Sequence, residues 1–137
     1  MMIRVASEQD LAWLQANDHH VSAEELVHLI SQQRVLVCET EGGPAAWLRW
    51  NLFWDNTPFM NMLYVLEGER SKGIGTQLVH YWEKLMRKQR YASVLTSTQA
   101  NETAQHFYRK LGYRDAGSLI LPGEPLEIIF HKDLDCE

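Results

Sequence analysis

The chain has 137 residues, 45% of them hydrophobic and 23% charged, a composition that excludes extended disorder and is long enough for one buried core. A formal net charge of −5 argues against a nucleic-acid partner, which needs a basic face, yet leaves room for a local nest of backbone N–H groups around a phosphorylated ligand. Cys38 and Cys136 read as reduced thiols, no clustered Cys/His set suggests a metal, and no secretory signal or membrane-length apolar run is present, so a cytoplasmic protein without a membrane partner is expected.

Residues 3–6 alternate as a short strand. Ser7 then fits a helix N-cap, with Glu8 and Asp10 suited to the dipole of the first turn. Leu11 and Leu14 mark a short helix, broken by Asn17-Asp18-His19-His20. Ser22 and Glu25 form a capping-box pattern ahead of a helix that carries Leu26, Leu29 and Ile30 on one face. Residues 35–38 and 45–53 read as a hairpin around Glu41-Gly42-Gly43-Pro44, and residues 54–58 break the second strand. Residues 59–65 are almost all apolar, which predicts a central strand buried on both faces. A glycine-bearing loop follows, then a helix with Ile74, Leu78, Trp82 and Leu85 on its buried stripe. Residues 93–97 form a strand and residues 101–111 a helix stopped by Gly112. Residues 113–120 and 126–132 are two closing strands. The order β-α-α-β-β-β-α-β-α-β-β predicts a single α/β domain over residues 1–137, with one mixed, mostly antiparallel sheet and helices on both faces.

The loop after the central strand carries the first chemical signal. A strand that enters a glycine loop and then a helix presents unpaired N–H groups and the positive end of a helix dipole, which together favour phosphate. Gly73 and Gly75 remove two Cβ atoms where a ligand would approach the backbone, and Arg70, Ser71 and Lys72 add donors and positive charge. The spacing is not that of a P-loop, and after Gly73-Ile74-Gly75 the third glycine of a dinucleotide fingerprint is replaced by Leu78.

Arg70-Ser71-Lys72-Gly73-Ile74-Gly75 resembles the [QR]-x-x-G-x-[GA] pyrophosphate loop of the GNAT superfamily of N-acetyltransferases. A second segment agrees: Asn101-Glu102-Thr103-Ala104-Gln105-His106-Phe107-Tyr108-Arg109-Lys110-Leu111-Gly112-Tyr113 is similar to that family's N-x-x-A-x-x-[FL]-Y-x-[KR]-x-G-[FY] helix. The chain departs from many members at Glu67, where they have proline, and at Ser71, where they have glycine. The resemblance implies acetyl-coenzyme A as acyl donor and two central strands that splay apart to admit it. It implies that the backbone of Leu63, Tyr64 and Val65 pairs with the pantetheine arm. The amides of Ser71, Lys72, Gly73, Ile74, Gly75 and Thr76 then cradle the pyrophosphate beside Arg70, Asn101 bonds the pantetheine, and Tyr108 faces the sulfur.

Acetyl transfer from a thioester needs a neutral amine, stabilisation of an oxyanion and protonation of the departing thiolate. Within the resemblance, a backbone N–H near Val65 serves the oxyanion and Tyr108 is the acid. By spacing alone, Tyr108 belongs to the buried stripe of its helix with Ala104, Phe107 and Leu111, and Asn101 to a helix N-cap. No general base stands out: Thr96 occupies the strand position where N-terminal protein acetyltransferases often carry glutamate. Of Trp47, Trp50, Phe53 and Trp54, most read as core, and one or two beside Asp55 are candidates for an acceptor wall that attracts an ammonium group. The expected acceptor is a small-molecule amine. A peptide or protein amine, and a non-catalytic acyl-CoA sensor, are the alternatives. Monomer and homodimer both remain open.

Overall fold

Local sequence signals set the ends of the elements, and hydrophobic faces set how they pack. A computed structural model describes residues 1–134; Cys136 lies outside the described residues. Among the described residues, seven strands hydrogen-bond into one mixed sheet in the order β1-β2-β3-β4-β5-β7-β6, with β1 Met2–Val5, β2 Val35–Thr40, β3 Gly43–Phe53, β4 Thr57–Val65, β5 Ser93–Gln99, β6 Arg114–Leu119 and β7 Glu127–Asp133. The helices are α1 Leu11–Asn17, α2 Ala23–Ser31, α3 Ile74–Lys88 and α4 Ala104–Lys110. This is the mixed α/β sheet expected from the element order. The described residues divide into two compact units, residues 1–51 with 62–82 and residues 52–61 with 83–134.

In the first unit, β1, β2 and β3 form an antiparallel ribbon, with Ile3 opposite Cys38 and Val37 opposite Trp47. Ser7 caps the chain before α1: its hydroxyl accepts from the Gln9 amide, and Asp10 reaches back to the Ser7 amide at 2.8 Å. Arg4 clamps the same Asp10 with two bonds of 2.7 and 2.8 Å. Ser22 starts α2 by accepting from the Glu25 amide at 3.1 Å. Leu14, Leu26, Leu29 and Ile30 then meet Val35, Val37 and Trp47 in one core. Each such leucine contributes about 2 kcal/mol by leaving water, and truncating Leu14 to alanine would cost about 2–5 kcal/mol. Trp50 lies three residues beyond Trp47 and so faces the other side of the strand, where its ring meets Trp82 of α3 at 6.4 Å. The tryptophans therefore split between faces, as strict alternation requires.

In the second unit, β5 runs parallel to β4 at Phe59↔Leu95 and Met60↔Thr96 and antiparallel to β7 over its whole length. β6 closes the edge against β7, with a register shift between Asp115 and Gly117. Gly112 ends α4 with a φ of +96°, a left-handed stop that favours glycine.

Two expectations are corrected. β4 is not buried on both faces: Pro58 and Met60 are buried, but Asn61 and Tyr64 are exposed and Met62, Leu63 and Val65 half-buried. A continuous apolar run marks a surface to be covered and does not say whether protein or ligand covers it. The break at 54–58 is also shorter than the composition suggests. The connection is residues 54–56: Trp54 and Asp55 turn at φ of +56° and +62°, and the Asn56 amide bonds the Phe53 carbonyl at 3.2 Å.

Candidate active site

One group of candidate residues, in the first unit, lies at the end of β4 and the start of α3. Leu63, Tyr64 and Val65 end the strand, Glu67–Glu69 makes a 3-10 turn, and the chain reverses through residues 70–73 before α3 begins at Ile74. Ser71 and Gly73 both take left-handed conformations, with φ of +68° and +80°. Ser71 therefore stands in strain at the position where a glycine would not. A Cβ built on Gly73 meets no heavy atom within 4 Å, so the surface above it is open on the protein side. The Gly73 carbonyl accepts from the Gln77 amide at 3.1 Å and opens the helix. The amides of Ile74, Gly75 and Thr76 precede that first intrahelical bond and have no helical acceptor. The first turn of α3 holds no acidic residue, while Arg87 and Lys88 end the helix, so the sequence leaves the positive pole uncompensated. A bare amide cradle at the positive end of a 15-residue helix fits a diphosphate.

The basic side chains of the loop are partly engaged within the protein. Arg70 turns back, donating from Nε to the Val65 carbonyl at 2.9 Å and lying 5.1 Å over the Tyr64 ring. Lys72 pairs with Glu69 at 3.2 Å. Arg70 thus ties the loop to the strand that precedes it. Tyr64 in turn lies 5.1 Å from Trp47, whose indole N–H donates to buried Asp18 at 3.0 Å. Arg49 donates to the same carboxylate at 2.6 Å and the His20 amide does so at 3.1 Å. Burial alone would push the Asp18 carboxyl up; Arg49, with help from the His20 amide and the Trp47 indole, holds it below the usual range. Sequence reading missed this clasp. Asp18 reads as one polar residue in a break, and its partners lie 29 and 31 residues away.

A second group of candidate residues, in the second unit, is carried by β5 and α4. Asn101 sits in a turn and is exposed, whereas α4 starts at Ala104 with Thr103 as its N-cap. The helix predicted over 101–111 is therefore shorter, and Asn101 is not its cap. The turn is held by Gln105, which donates to the Ala100 and Glu102 carbonyls at 2.8 and 3.0 Å. Tyr108 is buried, with its ring near those of Phe107, Tyr113 and Phe130 at 5.1, 5.6 and 6.1 Å. Burial pushes its phenol up to about 12, with the Thr96 hydroxyl opposing and the Glu102 charge adding to the rise. Thr96 is itself buried and donates to the Met60 carbonyl at 2.9 Å. Tyr108 is thus a protonated phenol at neutral pH. Spacing correctly puts it on a buried stripe, and burial is also what keeps its proton in place.

Phe53 and Trp54, considered for an acceptor wall, stand at the hairpin tip with Trp54 78% exposed, while Trp47 and Trp50 are buried in packing. Among the described residues, no group of three or more His, Cys, Asp or Glu side chains is arranged to hold a metal. Among them, no helix is long and apolar enough to cross a membrane.

Comparison with known proteins identifies the fold and the family. A search of curated protein sequences finds no match. Among solved structures, the chain is similar to Ard1 from Thermoplasma volcanium, with 18% identity, a TM-score of 0.83 and 96% of each chain covered. It is similar to a ribosomal-protein-alanine N-acetyltransferase from Brucella melitensis, with 22% identity, a TM-score of 0.81 and 97% and 99% of the two chains covered. It is also similar to an aminoglycoside 6′-N-acetyltransferase complexed with coenzyme A, with 18% identity, a TM-score of 0.80 and coverage of 100% and 99%. At these identities the likeness shows the fold. The acetyltransferase (GNAT) family model matches residues 4–113. The chain belongs to the GNAT family of acetyltransferases, enzymes that take an acetyl group from acetyl-coenzyme A.

Proposed function

We propose that residues 1–137 form one N-acetyltransferase domain that moves the acetyl group of acetyl-coenzyme A to the primary amine of a small molecule, in the cytoplasm, by direct attack on the thioester. The observation that carries this reading is the first turn of α3, where Gly73 at φ +80° leaves an open surface over amides with no helical partner. Bound acetyl-coenzyme A supplies an activated thioester. The chain supplies the rest. The amides of residues 71–76 hold the diphosphate, and Arg70 fixes the loop that presents them. Leu63, Tyr64 and Val65 offer strand backbone to the pantetheine arm, and the Val65 N–H stabilises negative charge on the reacting oxygen. Asn101, uncommitted to capping, bonds the pantetheine amide. Tyr108 gives its proton to the sulfur as the C–S bond breaks, and its high pKa keeps that proton available across the neutral range.

The small-molecule acceptor is supported by Thr96. Its hydroxyl is spent on the Met60 carbonyl and puts no carboxylate base at that strand position. An amine already neutral at the working pH needs no base in order to attack, and the proton its nitrogen sheds after attack passes through water to restore the Tyr108 phenol. Solved structures similar to this chain include a ribosomal-protein-alanine and an aminoglycoside acetyltransferase, so a peptide amine is the second reading. Thiol release from acetyl-coenzyme A, measured with kanamycin, spermidine, hydroxylamine and an alanine-leading hexapeptide, tests both. The proposal expects a small amine to give the highest kcat/KM. A rate only with the hexapeptide supports the second reading, and no rate above background with any of them overturns the enzyme.

A further inference from the structure

We infer that Glu83 is a positioning residue for Tyr108 and acts through Tyr113; the inference rests on the acid role proposed for Tyr108. Glu83 lies in α3 between buried Leu78, Val79, Trp82 and Met86, and its own side chain is 2% exposed. A carboxylate in such a place is costly unless its oxygens are occupied. Both are. The Tyr113 hydroxyl donates to Oε2 at 2.7 Å, and the Lys132 ammonium donates to Oε1 at 3.0 Å. Lys132 also stands 5.5 Å from the centre of the Tyr113 ring. Lys132 packs over the helix stop: a Cβ on Gly112 would lie 3.5 Å from Lys132 Cε, an ordinary van der Waals contact. Tyr113 is therefore held at its hydroxyl and at its ring face. Its amide donates to the Tyr108 carbonyl at 3.1 Å, and its ring meets the Tyr108 ring at 5.6 Å with the planes 69° apart.

The chemistry explains why the arrangement is built this way. The Tyr108 hydroxyl has Thr96 as a polar neighbour, but Thr96 is itself engaged with the Met60 carbonyl, so that contact alone does not fix a phenol that must deliver its proton to a sulfur. Its orientation has to come from ring contacts, and misplacement by about 1 Å at a reacting centre costs on the order of a hundredfold in rate. Phe107, Tyr113 and Phe130 give the ring contacts. Tyr113 is pinned by the buried Glu83–Lys132 pair, whereas Phe130 lies 5.1 Å under Arg109, whose ion pair with Asp115 is at the surface. Replacing a buried ion pair with apolar side chains of similar volume is often neutral or stabilising, so stability alone does not account for the pair.

The test compares the double variant E83M/K132M, the rescue variant E83Q/K132M and Y113F with wild type and Y108F. Thiol release is followed with whichever amine the wild type turns over fastest, and Tm reports folding. E83M/K132M is expected to keep its Tm and its KM for acetyl-coenzyme A within about twofold while kcat falls about tenfold, equivalent to about 1.4 kcal/mol. E83Q/K132M restores an oxygen for the Tyr113 hydroxyl and is expected to recover at least half of the lost kcat. If kcat survives in E83M/K132M while Y108F has lost it, Glu83 is purely structural and the inference fails. If Y108F itself turns over normally, the acid role fails and takes the inference with it. Should the double variant not fold, Y113F decides: a wild-type kcat overturns the inference and a reduced kcat at unchanged KM supports it.

Discussion

Substituting Gly73 with alanine separates the backbone role of this glycine from its role under a ligand. Its φ of +80° costs an alanine about 1–2 kcal/mol. About 0.4–1 kcal/mol returns through the stiffer unfolded chain. Because the added methyl meets no heavy atom of the protein within 4 Å, no packing term enters. The net loss is about 1 kcal/mol, which lowers Tm by about 4 °C for a chain of this size. Gly68 is the control: its added Cβ also meets nothing within 4 Å and its φ is not positive, so G68A leaves coenzyme A binding unchanged. Calorimetric titration with coenzyme A then reads the second term. If the open surface above Gly73 belongs to the diphosphate, G73A weakens Kd by about tenfold, or 1.4 kcal/mol. A lowered Tm with a Kd within about twofold of wild type would mean that this glycine serves only the turn, and the cradle would be misassigned.

Three other outcomes follow from the geometry. Ser71→Gly relieves a strained left-handed serine and raises stability by up to about 1 kcal/mol in denaturant unfolding, without weakening coenzyme A. Tyr108 has its pKa raised by burial, so the neutral phenol's contribution to stability is complete below pH ~10 and is lost as pH rises toward about 12. By the same sign, the kcat profile shows no alkaline fall from Tyr108 below pH ~10, and Y108F lowers kcat by about a hundredfold at every pH in that range. Asp18→Asn leaves the buried Arg49 guanidinium without its counter-charge and destabilises by about 3–5 kcal/mol in urea unfolding, while D18N/R49M recovers most of the loss. The Asp18 carboxyl is held low in the fold, so its stabilisation is present above pH ~4 and disappears as pH falls further.

Much of this molecule was legible in its sequence because short-range rules govern it. Ser7 and Ser22 cap what they precede, Gly112 stops α4, and the alternation of Trp47 and Trp50 sends them to opposite faces. The loop motif was legible for the same reason: spacing along six residues dictates which amides open the helix. What resisted reading depends on partners remote in sequence. Asp18 meets Trp47 and Arg49, and Glu83 meets Tyr113 and Lys132, across separations of 29 to 49 residues that no local pattern encodes. Asn101 illustrates a different limit. An asparagine ahead of an apolar stripe has the composition of an N-cap, but the helix begins three residues later and leaves the side chain uncommitted. The apolar run of β4 does not reveal its exposure, because the same residues suit a strand covered on one face or on both.

The most direct test is isothermal titration of the folded protein with coenzyme A, run with and without competing inorganic pyrophosphate. The account predicts saturable heat at one equivalent, weakened by pyrophosphate. No heat at about 1 mM coenzyme A, a level that detects any site tighter than about −4 kcal/mol, would contradict it.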